Sequence, residues 1–180
     1  NNTITLGAAY QLKGNIGDLT GRGATVQGMD MPATLGIGIS AQVTDQLMLA
    51  FDYKRIFWSN SMQTVTISQN GITMGMPQNW KDQNVFALGL AYQVNPQLTL
   101  RAGANIANNP INSSYLVPLF PAIVKNHYTL GFGYQFDKQH SVDASFAYAP
   151  KVTENNGLNF AGTSSSHSQT AFQLMYSFRF

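Results

Sequence analysis

The sequence predicts an all-β fold, an antiparallel transmembrane β-barrel that extends over residues 1–180. Three observations predict it: eight segments alternate apolar with small or polar residues, their connections are short and long in turn, and only 10% of residues are charged. Soluble domains carry about 25% charged residues. A barrel wall needs fewer charges because one of its two faces contacts lipid.

The first segment begins at Ile4 and carries an apolar side chain at every second position as far as Leu12. Successive side chains of a strand point to opposite faces, so this segment has one face suited to lipid and one small or polar face. The later segments repeat the pattern, with outward positions at Leu35/Ile37/Ile39/Ala41, Leu47/Leu49/Phe51/Tyr53, Phe86/Leu88/Leu90/Tyr92, Leu98/Leu100/Ala102/Ala104, Tyr128/Leu130/Phe132/Tyr134/Phe136, Val142/Ala144/Phe146/Tyr148 and Phe172/Leu174/Tyr176/Phe178/Phe180. An even number of strands is typical of bacterial barrels.

The connections between the segments alternate in length. The short ones span residues 43–46, 94–97 and 137–140, and the long ones span about 14–31, 59–79, 109–125 and 153–166. Barrels of the Gram-negative outer membrane have short periplasmic turns and long extracellular loops. We therefore expect the long connections to be extracellular loops and both chain ends to lie on the periplasmic side.

The composition disfavours other classes of protein. No run approaches the roughly 18 apolar residues of a membrane-spanning helix, and the mean hydropathy is only −0.11. The net charge of +2, without a Lys/Arg cluster, predicts no nucleic-acid partner. A soluble antiparallel sandwich also alternates, but strands of about 10 residues favour a membrane barrel. Aromatic residues near the strand ends fit the girdles at the membrane interfaces, and they are Phe57, Trp58, Trp80, Tyr92, Tyr134 and Tyr148.

The sequence contains no constellation of catalytic or metal-binding residues. The three His residues are scattered, and the spacings typical of metal sites and of a nucleophile elbow are absent. His127, Asp143 and Ser145 could meet inside a barrel, as in an outer-membrane phospholipase-like enzyme, but no motif supports that alternative. The sequence therefore predicts no enzyme, no cofactor and no metal site.

Charged side chains collect on the face that the alternation assigns to the barrel interior. A charge there is less costly than on the lipid face. Residues at similar depth on nearby strands could form a paired ladder that holds the wall, with a substrate role as the alternative. The four candidates for this ladder are Asp52, Arg101, Asp143 and Arg179, and the predicted lumen charge network consists of Asp52, Lys54, Asp143 and Arg179. The other inward residues with ionisable side chains are Lys13, Lys81 and His127.

The third long connection contains an apolar run at residues 115–124, Tyr-Leu-Val-Pro-Leu-Phe-Pro-Ala-Ile-Val. An exposed apolar loop is typical of a binding surface or a plug. Two interpretations stay open: the run contacts a hydrophobic ligand at the entrance, or it packs back into the barrel mouth as a lid. Both interpretations put apolar side chains at the mouth.

An ordered set of motifs extends from residue 29 to the C-terminus. The motifs are Met31-Pro32, Phe57-Trp58-Ser59, Trp80-Lys81-Asp82, Phe86-Ala-Leu-Gly89, Leu100-Arg-Ala-Gly103, Asn109-Pro-Ile111, Thr129-Leu-Gly-Phe-Gly-Tyr134, Ser141-Val-Asp143 and Phe146-Ala-Tyr148, followed by an aromatic last strand. Over about five-sixths of its length the sequence resembles the FadL family, the outer-membrane transporters of long-chain fatty acids and other hydrophobic compounds.

The resemblance implies a fold, a location and a function. It implies that the chain forms the last eight strands of a fourteen-stranded barrel, surrounded by the lipid and lipopolysaccharide of a Gram-negative outer membrane. The implied function is passive uptake of a hydrophobic molecule, which the loops capture, the lumen binds and an N-terminal hatch releases sideways into the membrane. Independently of the resemblance, the periplasmic position of the last aromatic strand predicts that Phe180 contacts the barrel assembly machinery.

The same resemblance implies candidate substrate contacts. Lys81 and Arg101 match inward basic positions, and either could attract a carboxylate head group. Lys81 is the stronger candidate because Arg101 has acidic neighbours. A hydrocarbon would need neither cation, so the substrate stays open. The apolar contacts are expected from the third long loop, and they are Leu116, Leu119, Phe120 and Ile123.

Two other functions remain as alternatives. A general porin predicts a hydrated lumen with acidic and basic residues on opposed walls. A structural or adhesion barrel of eight strands predicts an interior filled by side chains. Small inward residues such as Gly36, Gly89 and Gly131 would leave the second kind of barrel underfilled.

Overall fold

The computed structural model describes residues 3–116, 118, 123–157 and 160–180. Its strands are β1 (Ile4–Gln11), β2 (Leu19–Gly21), β3 (Ala24–Gln27), β4 (Thr34–Gln42), β5 (Leu47–Ile56), β6 (Thr64–Gln69), β7 (Ile72–Pro77), β8 (Gln83–Gln93), β9 (Leu98–Ala107), β10 (His127–Gln135), β11 (His140–Asn155) and β12 (Ser164–Phe178). Two 3₁₀ turns occupy Trp58–Asn60 and Ser113–Tyr115. In these described ranges, no helix has the length and apolar character needed to cross a membrane.

The main sheet, called the wall below, has eight strands in the order β1-β4-β5-β8-β9-β10-β11-β12. All neighbours in it are antiparallel, so the all-β antiparallel fold expected from the sequence is confirmed. β1 and β12 are the two ends of the sheet. Residues 43–46, 94–97 and 136–139 join consecutive wall strands, and we call their side the short-turn end and the opposite side the long-loop end.

The register keeps the two faces of the wall separate across all its strands. Phe51, for example, lies opposite Ile39 on one neighbouring strand and Leu88 on the other, so apolar side chains share one face. The opposite face is called the inner face here. One row of that face contains no side chain larger than Thr, and its members, from β1 to β12, are Thr5, Ser40, Ala50, Gly89, Gly103, Thr129, Ala147 and Ala171.

A second sheet stands at the long-loop end, where the sequence had predicted only loops. Its order is β2-β3-β6-β7, so the long connections predicted over about 14–31 and 59–79 contain four short strands that the alternation did not predict. The β6–β7 turn is Asn70-Gly71, with φ of 51° and 78°. Two successive residues in the left-handed conformation are typical of a two-residue hairpin turn. The apolar face of this sheet contains Leu19, Val26, Ile67 and Met74, and the hydroxyl face contains Thr20, Thr25, Ser68 and Thr73.

The last hairpin extends beyond the other wall strands. β11 reaches Asn155 and β12 starts at Ser164, so the loop expected over about 153–166 is shorter than predicted. The register of the pair shifts between Ala149 and Val152, which marks a β-bulge. Near the tip, Ser165 Oγ donates to Asn156 Oδ1 at 2.7 Å, and both residues are buried.

The buried core lies at the long-loop end rather than in the wall. Leu116 and Ile123 are the largest fully buried side chains, at 1% and 0% exposure. Val65 of the second sheet and Ala149 beside the bulge are also buried. Apolar side chains on the outer face of the wall, by contrast, are exposed, because lipid takes the place of a protein core there.

Candidate functional site

Two adjoining grooves follow the inner face of the wall. One, of about 630 Å³, is lined by strands β1, β4, β5, β8 and β9, and the other, of about 570 Å³, by strands β5 and β8–β12. Ala50 lines both grooves and belongs to the row of small side chains. Gly89 in the same row has open space where a Cβ would be. The small residues therefore leave a continuous depression across the wall.

An ion pair crosses the second groove. Arg101 Nη1 on β9 donates to Asp143 Oδ1 on β11 at 2.8 Å, although β10 lies between them. The crossing depends on Gly133 of β10, where a Cβ would lie 2.7 Å from Asp143 Oδ1 and 3.0 Å from Arg101 Nη1. A larger residue at this position would separate the two charges. The glycine is thus what allows partners two strands apart to meet.

The other members of the predicted charge network do not join this pair. Asp52 lies opposite Ala87, which lies opposite Asn105. Asn105 is four residues from Arg101, about 13 Å along an extended strand, so Asp52 is out of reach. Within the described residues no ion pair connects Asp52, Lys54 or Arg179 to Arg101 and Asp143. The four-membered ladder is therefore wrong, although Lys54 shares the inner face with Asp52.

Arg179 and Lys81 both lie outside the wall strands. Arg179 follows the end of β12, and its backbone N–H donates to the Gln139 carbonyl at 2.9 Å. Lys81 precedes β8, and its backbone N–H donates to the Pro110 carbonyl at 2.8 Å. The alternation had assigned Lys81 to the lumen face of a strand. Regular pairing starts only at Gln83, so Lys81 lies in the connection before β8, and its position on the lumen face stays a prediction.

A second polar cluster, which the sequence did not predict, lies beside Lys81. Asp82 accepts hydrogen bonds from Ser59 Oγ at 2.7 Å, from the Ser59 backbone N–H at 3.2 Å and from Arg55 Nη2 at 3.1 Å. The Ser59 hydroxyl, followed by Arg55, holds the pKa of the Asp82 carboxyl below its ordinary value. These bonds attach the 3₁₀ turn Trp58–Asn60 to the start of β8.

The aromatic residues around this turn separate to the two faces of the wall. Phe57 packs under the Arg55 guanidinium, 5.4 Å from its ring centre, on the outer side. Trp58 Nε1 donates to Gln83 Oε1, an inner-face side chain, at 3.4 Å. Trp58 also forms a T-shaped contact with Trp80, with ring centres 5.0 Å apart. Only Phe57 of these three therefore has the orientation expected of a lipid girdle.

The start of the third long loop contacts the tip of the extended β11–β12 hairpin. The Gly157 backbone N–H donates to the Leu116 carbonyl at 3.1 Å, and a Cβ at Gly157 would collide with the Ser114 carbonyl. Leu116 and Ile123 are buried and present no surface to a ligand in this structure. Their role as substrate contacts stays a prediction that requires the loop to open. The other two predicted contacts, Leu119 and Phe120, lie outside the described residues.

Residues 2–179 match the family described as "Outer membrane protein transport protein (OMPP1/FadL/TodX)". The chain belongs to this family. The resemblance inferred from the sequence motifs is thereby confirmed, as are the antiparallel barrel fold and the Gram-negative outer membrane as the location. The family is one of transport proteins, so the prediction that the chain is not an enzyme is confirmed as well.

The chain resembles two solved toluene transporters and a curated outer membrane protein. The P. putida toluene transporter TodX is 29% identical with a TM-score of 0.79, and the match covers 98% of this chain and 45% of that one. The Ralstonia pickettii toluene transporter TbuX is 28% identical with a TM-score of 0.72, covering 97% and 44%. Outer membrane protein P1 of Haemophilus influenzae is 29% identical over 137 residues, 75% of this chain and 28% of that protein. The chain therefore spans less than half the length of each of these proteins.

Proposed function

We propose that the protein carries hydrophobic compounds passively across the outer membrane, as the sequence resemblance implied. The observation that carries the proposal is the row of small inner-face side chains, which leaves two connected grooves along the wall of a chain from a transport family. We assign the long-loop end to the outside of the cell and the short-turn end to the periplasm. Uptake then needs no energy source, because the compound moves down its concentration gradient.

Apolar surface at the long-loop end supports capture as the first step. Ile72 and Met74 of β7 are 71% and 61% exposed on the second sheet. The stretch from residue 61 to 80 contains them and carries no charged residue, so water-exposed hydrophobic side chains lie at the long-loop end. Exposed apolar surface of this kind typically binds a hydrophobic partner. We infer that the loops hold the compound before it enters the grooves.

Fatty acids and uncharged hydrocarbons are both candidate substrates. A fatty acid would need a cation for its head group, and the Lys81 side chain at the long-loop end forms no ion pair with another described residue. Lys81 therefore remains the first candidate for a carboxylate contact. A hydrocarbon would use the small-residue grooves alone. Lipopolysaccharide and the barrel assembly machinery, the latter through Phe180, belong to the same proposal as partners in the membrane.

The proposal is tested by narrowing the grooves. Ala50→Leu adds a larger side chain where the two grooves meet, and we expect it to reduce uptake of a radiolabelled long-chain compound at least severalfold. Ala41→Leu, one strand away on the lipid face, is the matched control and should leave uptake unchanged. Equal uptake in both variants would contradict the proposed route. A large steady ionic current across a planar bilayer would instead support a general porin.

A further inference from the structure

The charges of the inner face cancel. On the wall strands, up to the bulge in β11, four fully charged side chains have inner-face positions, and they are Asp52, Lys54, Arg101 and Asp143. Two are acidic and two are basic. The grooves therefore combine small side chains with a zero formal charge, an arrangement that offers a passing anion little net attraction.

We propose that the Arg101–Asp143 ion pair determines specificity by keeping the second groove neutral, so that uncharged hydrophobic compounds bind there in preference to carboxylates. This inference rests on the proposed function. Arg101 is half-exposed to the groove, so its guanidinium would be a ready partner for a carboxylate if it were free. Asp143 already occupies the guanidinium at 2.8 Å, and an incoming carboxylate would have to displace it and leave Asp143 unpaired.

Gly133 allows Arg101 to reach Asp143 across the intervening strand β10. Arg101 lies opposite Gly131, and Asp143 lies opposite Gly133, so the guanidinium reaches its partner across the bare backbone of β10. Any Cβ at position 133 would press on the flexible ends of both charged side chains. Glycine here is thus a condition for neutralising Arg101, and the specificity depends on three consecutive strands.

The test compares two ligands that differ only in their head group. Purified protein in detergent micelles is titrated at neutral pH with radiolabelled dodecanol and dodecanoate, and the affinity ratio of dodecanoate to dodecanol is measured. Asp143→Asn keeps the shape but frees the Arg101 charge, and we expect the ratio to rise about tenfold. Gly133→Ala should raise it in the same direction by a smaller factor, because it pushes the pair apart.

Controls separate this inference from the function on which it rests. Asp45→Asn removes a carboxylate in the 43–46 turn, away from both grooves, and should leave the ratio unchanged. The double variant Arg101→Gln/Asp143→Asn should return the ratio to the wild-type value. An unchanged ratio in both Asp143→Asn and Gly133→Ala, in protein that still binds dodecanol, would overturn the inference. Binding of neither ligand by the wild-type protein would overturn the proposed function and the inference with it.

Discussion

The wall and the long-loop end of this protein are stabilised in different ways. In the wall, backbone hydrogen bonds join neighbouring strands while the outer side chains remain exposed, as for Leu6 and Phe172, because lipid is the solvent on that side. At the long-loop end, Leu116, Ile123 and Val65 are buried as they would be in a water-soluble domain. In the wall, the effect of a substitution on stability should therefore depend on the face that the residue occupies. At the long-loop end, it should depend on the side-chain volume that is removed.

The largest effect is expected from a cavity at the long-loop end. Leu116→Ala removes a side chain that is 1% exposed, and we expect a loss of about 2–5 kcal/mol in the free energy that holds residues 109–116 against the end of the β11–β12 hairpin. Hydrogen exchange of that region measures it. Leu88→Ala on the lipid face, where Leu88 is exposed, should cost much less because lipid fills the space. An equal loss of stability in Leu116→Ala and Leu88→Ala would contradict the proposed difference between the two regions.

The next effect tests the two faces of the wall with adjacent residues of β8. Leu88→Lys puts an ammonium group on the lipid face and should destabilise the barrel by roughly 2–4 kcal/mol. Ala87→Lys puts the same group on the inner face, opposite Asp52, and should be tolerated. Urea unfolding in lipid vesicles gives both values. A greater loss for Ala87→Lys would mean that the face assignment is reversed.

A smaller effect is expected in the second sheet. Gly71 has φ of 78°, so Gly71→Ala forces a strained backbone and should weaken the β6–β7 hairpin by about 1 kcal/mol. Gly75→Ala in the same hairpin is the matched control, since its Cβ would meet Thr64 Cγ2 at an ordinary 3.6 Å and its φ is not left-handed. Amide exchange of β6 and β7 compares the two. Equal protection in both variants would rule out strain at the turn.

The smallest effect concerns pH. Because its pKa is lowered in the folded protein, Asp82 contributes stability that is fully present above its ordinary value of 3.8 and is lost as the pH falls through the lowered folded value. We expect exchange around Ser59 to accelerate only in this acidic range. Asp82→Asn should show the faster exchange already at neutral pH and little further change on acidification. If exchange instead accelerated near neutral pH, a titratable group other than Asp82 would be responsible.

The wall and the long-loop end also differ in how much of their structure could be predicted from the sequence. The wall strands were predicted because strict alternation assigns each residue to a face, and the antiparallel register then follows from the short turns. The pairing of Arg101 with an acidic neighbour was anticipated, but its partner depended on Gly133, which is informative only once β10 is known to lie between the two charges. The sequence did not show where β8 begins, because alternation continues through Lys81 whereas the paired strand starts two residues later, at Gln83.

The long-loop end was less predictable because its contacts join segments that are distant in sequence. One local signal was available, the Asn70-Gly71 pair between two stretches of strand-forming residues, which is typical of a tight hairpin. Nothing as local indicates that β3 pairs with β6, or that Ser59 and Arg55 share Asp82. The buried Leu116 likewise accepts a backbone hydrogen bond from Gly157, some forty residues further along the chain.

The contact between Trp58 and Trp80 gives the chain an optical probe of one end only. These residues are its two tryptophans, and both lie at the long-loop end, whereas the aromatic residues of the wall are tyrosines and phenylalanines. Emission excited at the red edge of indole absorption therefore comes from this end alone. A compound that binds there, or a movement of the turn that contains Trp58, will change the wavelength and intensity of this fluorescence. The membrane strands of this chain contribute no tryptophan emission.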